Sequence, residues 1–128
     1  MNVVIIGAAE GIGREIAIKF LSKDYTVIGI DRSLPASRED DNYKHYICNI
    51  ESYLDTLPDI DNVGIVVTVP QVHGEKDIDL NLKSIIRCVD KYVLHNDNIK
   101  SVVNLIDAAA TTGADFDEYV ASMGGLKS

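Results

Sequence analysis

The chain has 128 residues, 46% hydrophobic and 25% charged, the balance of one soluble globular domain. Its 20 acidic and 12 basic residues leave a net charge of −8, a field that repels nucleic-acid phosphates and anionic membrane surfaces. No apolar run reaches the ~18 residues that a membrane-spanning helix needs. The start MNVVIIG lacks the basic region of a signal peptide, and Cys48 and Cys88 form no CxxC pattern, so a cytoplasmic protein with reduced, buried thiols is expected.

In chain order, NVVIIG (2–7) is a β-branched run ending in glycine and predicts the first strand. Ile12, Ile16, Phe20 and Leu21 make an apolar stripe that predicts a helix. YTVIGID (25–31) predicts the second strand, and SLPASREDDN (33–42) is a polar loop without a pattern. KHYICNI (44–50) is a weaker third strand, and ESYLDTL (51–57) predicts one or two helical turns. VGIVVTV (63–69) is the fourth strand. Ile78, Leu82, Ile85, Ile86, Val89 and Val93 recur at helical spacing and predict a longer helix, around 77–94. IKSVVNLI (99–106) is the fifth strand. In ADFDEY (114–119), Asp115 followed by Glu118 reads as a capping box opening a last helix, whose end Gly124 and Gly125 weaken. There is no internal repeat. Apolar runs alternating with helical patterns predict a doubly wound α/β domain with a parallel sheet, buried on both faces.

In such sheets ligands bind beyond the carboxyl ends of the strands. After the first strand comes GAAEGIG (7–13), with Gly7, Gly11 and Gly13 in the pattern GxxxGxG. Glycines there permit a tight turn and a close approach of backbone to a pyrophosphate, and the next helix offers its first amides to the anion. The competing reading is a turn that merely joins strand to helix. Asp31 ends the second strand, 18 residues after Gly13, where a carboxylate can accept hydrogen bonds from ribose hydroxyls. A turn cap is its alternative role. His45, His73 and His95 are scattered, so no metal site is expected, and no GxxxxGK[ST] loop is present.

Five segments resemble the short-chain dehydrogenases/reductases. GAAEGIG resembles the family's glycine motif, with Ile6 where threonine is usual; the resemblance implies cofactor contacts at Gly7, Ala9, Glu10, Gly11, Ile12 and Gly13. GIDRS (29–33) is similar to the ribose-binding turn and implies Asp31 and Arg32. CNI (48–50) is similar to the adenine-binding segment and implies Asn49 and Ile50. DLNLKS (79–84) resembles the helix bearing a catalytic-site asparagine, here Asn81. VVNLID and YVASMGGL resemble the strand with the catalytic serine and the helix with Tyr-x-x-x-Lys. The implied architecture is a three-layer, Rossmann-like domain over 1–128, its five strands ordered 3-2-1-4-5 with right-handed crossovers.

The departures from the family fall on chemistry. TVP (68–70) replaces the Asn-Ala-Gly triplet, leaving Thr68, Val69 and Pro70 as the cofactor-side residues. Asp107 stands at the serine position and Met123 at the lysine position, so only Tyr119 remains of the pair. Tyrosine titrates near ~10 and needs help to act at neutral pH. Met123 carries no charge, and an ionised Asp107 opposes tyrosinate. An ordinary helix face remains the alternative for YVASM, and an ordinary polar position for Asn81. The family's substrate-binding lobe has no counterpart here. The expectation is an NAD-binding domain, NADP being disfavoured by Asp31 and Glu10, with little or no hydride transfer. The alternative is an active oxidoreductase whose altered site a partner subunit completes. A homo-oligomer built on the helix around 77–94 and the last helix is expected.

Overall fold

A computed structural model describes residues 1–35, 40–50, 54–70, 79–94 and 96–105. In chain order the elements are β1 (Asn2–Ile6), α1 (Gly11–Leu21), β2 (Thr26–Asp31), β3 (Tyr43–Ile47), β4 (Val63–Thr68), α2 (Ile85–Val93) and β5 (Ser101–Asn104). A 3₁₀ turn spans Leu54–Thr56, and a π-helical turn, Asp79–Ser84, leads into α2. The last helix read from sequence, with Asp115, Glu118, Gly124 and Gly125, lies outside the described residues.

All four strand pairings are parallel, and the order is β3-β2-β1-β4-β5, as the sequence predicts. The central strands are the near-continuous apolar runs: Val3, Val4, Ile5, Val27, Ile30, Val63 and Val66 are buried on one face or the other. Side chains alternate across a strand, so β1 feeds two separate cores. Val3 and Ile5 pack with Val27, Val67 and Ala17 of α1, joined by Ile16, Phe20 and Leu21. Val4 and Ile6 pack on the opposite face with Ile28, Ile30 and Val66, against Ile85, Cys88 and Tyr92 of α2. The helices therefore cover opposite faces, giving three layers.

Two stripes differ from their sequence reading. Ile12 is 66% exposed, and the buried line of α1 runs through Gly13 and Ala17. Ile12 sits in the first turn, where Gly13 rather than Ile12 faces the sheet. In α2 Ile85, Val89 and Val93 of the predicted stripe face the core, joined by the more deeply buried Cys88 and Tyr92, while Ile86 is exposed. The helix expected around 77–94 shows a π turn over Asp79–Ser84 followed by regular helix from Ile85.

Both cysteines are free and buried, as expected. Burial pushes the Cys88 thiol up to about 12, helped by the neighbouring Cys48, with Lys91 opposing. Burial likewise raises Cys48, against a hydrogen bond with Thr56 that lowers it. Tyr92 is raised too, first by burial and then by Cys88, and its hydroxyl is buried with no hydrogen-bond partner.

A thiol that ionises later in the folded state than in the unfolded chain leaves stability intact below the unfolded value and removes it as pH climbs toward the folded one. Urea midpoints should hold steady to the ordinary thiol value of 9.0 and then fall toward pH 12. One such group sets a limit of about 1.4 kcal/mol per pH unit. Cys88→Ala should reduce that slope. An identical slope in the variant would show that Cys88 does not govern alkaline unfolding.

Candidate functional site

Because the strands are parallel, their carboxyl ends gather along one edge of the sheet. The backbone there is stitched in sequence: Gly7 N donates to Ile30 O, Cys48 N to Asp31 O, Val69 N to Ile6 O and Leu105 N to Thr68 O, at 2.8–3.0 Å. Between these ends lies a crevice of about 340 Å³, part of it open to solvent. Six residues singled out from the sequence line it: Gly7, Asp31, Arg32, Asn49, Ile50 and Val69. The structure adds an apolar floor of Ile6, Ile30, Cys48 and Ile85. The sequence reading missed these four because they look like ordinary strand and helix core. The usable signal was position, since Ile6 and Ile30 are the register pair at the ends of β1 and β2.

The glycine turn has separable roles for its three glycines. Gly7 and Gly11 have φ of 93° and 58°, the left-handed region that other residues avoid. A Cβ on Gly13 would lie 1.8 Å from the Gly7 carbonyl oxygen, so the start of α1 rests directly on the end of β1. Glu10, at the cap position of α1, is extended and its side chain makes no capping hydrogen bond. The first-turn amides and dipole of a helix suit such an end to an anion.

Asp31 joins the turn to the crevice. Its Oδ2 accepts from Ala9 N and its Oδ1 from Ser33 N, both at 3.0 Å. Asp31 is only 7% exposed. Asp31 caps a turn and also lines the crevice, with acceptor capacity remaining, since a carboxylate offers about four lone-pair sites. The remaining assignments divide. Glu10, Gly11 and Ile12 are exposed beside the turn, and Pro70 is half-buried. Thr68 is buried and donates through its hydroxyl to Asn104 Oδ1 at 2.7 Å, which ties β5 to β4 rather than facing a ligand. Asn81 lies in the π turn, its side chain outside the described part of the structure. Asp107, Tyr119 and Met123 lie outside the described residues. Among the described residues no cluster of metal-ligating side chains occurs, and no helix is long and apolar enough to cross a membrane.

No family model matches the sequence, and no curated protein is detectably similar to it. Solved structures are similar in fold. A short-chain dehydrogenase family protein from Francisella tularensis superposes with a TM-score of 0.80 at 20% identity, over 98% of this chain and 59% of that one. The aldohexose dehydrogenase of Thermoplasma acidophilum gives 0.77 at 20%, over 98% and 56%. A short-chain dehydrogenase from Leptospira borgpetersenii, solved with bound NAD+, gives 0.78 at 15%, over 98% and 61%. The chain has the fold of the short-chain dehydrogenases and spans about three-fifths of the length of these three proteins.

Gly13→Ala should be the most damaging single methyl in the glycine turn, because the obstacle is backbone and cannot rotate away. A loss of about 1–3 kcal/mol is expected from such overpacking, read as a lower urea midpoint. Gly11→Ala meets no atom within 4 Å, so it should cost less and arise from its φ alone. Equal losses at the two positions would show that the contact with Gly7 is not the constraint.

Proposed function

We propose that the chain binds NAD along this edge, with the adenosine ribose against Asp31 and the pyrophosphate over the first turn of α1. The observation that carries this reading is the bond from Ala9 N to Asp31 Oδ2. It fixes the group suited to a ribose diol and the turn suited to a pyrophosphate in one rigid unit. The apolar floor and Asn49 suit the adenine ring and its polar edge. NAD rather than NADP is supported by the charge at the site: a 2′-phosphate would meet the buried Asp31 carboxylate, with Glu10 near the turn. Arg32, exposed beside Asp31, is the group that could work the other way. Structures of the same fold solved with NAD+ and with NADP support a nicotinamide dinucleotide, and the charge at the edge is the argument for NAD.

The second half of the proposal concerns catalysis. Tyr119 is followed four residues later by Met123 in place of a lysine, and Asp107 replaces a serine, so the chain carries little acid–base machinery for hydride transfer. We read it as a dinucleotide-binding domain over 1–128, with substrate contacts supplied elsewhere or not at all. Exposed Ile86 and Leu94, on and just after α2, support association with a second copy through that helix.

Calorimetry with NAD, NADP and ADP-ribose tests the binding. NAD should bind more tightly than NADP, and ADP-ribose should retain most of the NAD affinity. Asp31→Asn should weaken NAD by about 1.5–3 kcal/mol, the worth of a hydrogen bond to a charged group. Tighter binding of NADP would reverse the cofactor assignment, and no binding of either would remove it. Turnover with carbonyl and alcohol substrates should stay below about 1 s⁻¹, the low end of ordinary enzymes. Faster turnover would replace the binding-domain reading with that of an active oxidoreductase.

A further inference from the structure

The face of the sheet that carries α1 holds a polar relay beside the crevice. Gly29 and His45 are register partners on β2 and β3, and Tyr43 lies two residues before His45, on the same face. A Cβ on Gly29 would come 2.0 Å from the Tyr43 hydroxyl and 3.0 Å from the Ala8 side chain. Glycine at the centre of β2 thus makes room for the tyrosine oxygen. That oxygen lies 2.7 Å from His45 Nδ1, and His45 Nε2 lies 2.9 Å from the Ser33 carbonyl oxygen. A carbonyl only accepts, so Nε2 carries the proton; Nδ1 is then the acceptor and Tyr43 O–H the donor. A neutral imidazole satisfies both ends.

Ser33 is consequently held at both of its backbone polar groups. Its N–H donates to Asp31 Oδ1, and its C=O accepts from His45. The chain from Asp31 to Ser33 is the turn that meets the adenosine ribose in the proposed binding mode, on which this inference rests. Recognition of a 2′-phosphate needs donors there: a backbone amide turned outward, or an arginine brought across. With both ends of Ser33 bonded, its N–H stays committed to Asp31. Arg32 is carried on backbone fixed from either side.

We propose that His45, oriented by Tyr43, is a positioning residue that enforces NAD over NADP by locking the Ser33 turn. It keeps the Asp31 carboxylate as the group presented to the 2′ oxygen. Releasing the lock lets the Ser33 amide and Arg32 adapt to a phosphate.

The test is calorimetry of NAD and NADP on wild type, His45→Ala, His45→Gln and Tyr43→Phe. Glutamine keeps a donor near the Nε2 position, and phenylalanine keeps the ring, so the test does not depend on the alanine variant folding. His45→Ala should lower the ratio of NADP to NAD dissociation constants by about five-fold or more, the scale of one neutral hydrogen bond. Tyr43→Phe should lower it in the same direction, and His45→Gln should stay within about two-fold of wild type on the same scale. Exchange of the Ser33 amide, followed by NMR without ligand, should quicken in His45→Ala and not in His45→Gln. Equal weakening of both dinucleotides, or an unchanged ratio in every variant of a protein that binds NAD, would overturn the proposal and leave the binding reading standing. A wild type that binds neither dinucleotide would overturn both.

Discussion

The Gly7 carbonyl and the Gly13 α-carbon meet at a distance that no side chain permits. That contact sets where α1 begins relative to the end of β1, and much of the crevice depends on it. To make so close a return the chain must turn through left-handed backbone at Gly7 and Gly11. The turn leaves Ala9 N pointing at the end of β2, where Asp31 receives it. It also sets the start of α1, where Glu10 makes no side-chain cap, against the end of β1. The start of α1 and the Asp31 carboxylate are thus placed by one backbone constraint.

The sheet supplies the second requirement. Five parallel strands place all their carboxyl ends on one edge, so residues far apart in sequence, such as Gly7, Asp31, Asn49 and Val69, border one space. Beneath them the floor is the outermost layer of the α2-side core. The nucleophiles in that core are chemically quiet. Burial holds Cys88 near the top of the thiol range and raises Cys48, which removes the thiolate that reactions need. The chemistry available at the described edge therefore belongs to the rim: backbone amides, the Asp31 carboxylate, Arg32 and Asn49.

The two edge strands play different parts. β3 is only half-buried, yet its Tyr43 and His45 reach across β2 toward the glycine turn and the Asp31–Ser33 turn, so a peripheral strand braces the edge of the sheet. β5 is exposed at all four residues and is tied to β4 by backbone pairing and by Thr68 with Asn104. Val102 and Val103 point to opposite faces and both are partly open. The sheet is thus finished on the β3 side by side-chain bonds and lightly covered on the β5 side.

The sequence by itself determined the class of fold, the number of strands and the place of the crevice. Five β-branched runs separated by helical or loop patterns leave few arrangements, and glycines at 7, 11 and 13 ahead of an acid at 31 mark the first two strand ends, because backbone geometry and charge are local properties written residue by residue. Tertiary structure decided the rest. Only the packing of β3 on β2 gives Gly29 its reason, since a glycine in a strand looks like a weakness until the Tyr43 hydroxyl is seen over it. Only the fold joins Ala9 to Asp31 across 22 positions and His45 to Ser33 across 12. Thr68 reads as a cofactor-side residue because TVP stands where the resembled family has its Asn-Ala-Gly triplet, and its hydroxyl turns to Asn104 because a buried hydroxyl needs a partner. The apolar spacing of α2 marks Ile85, Val89 and Val93 as its inward side, and only packing shows that Cys88 and Tyr92 beside them lie deeper, because a thiol or a phenol is buried or exposed according to what packs on it.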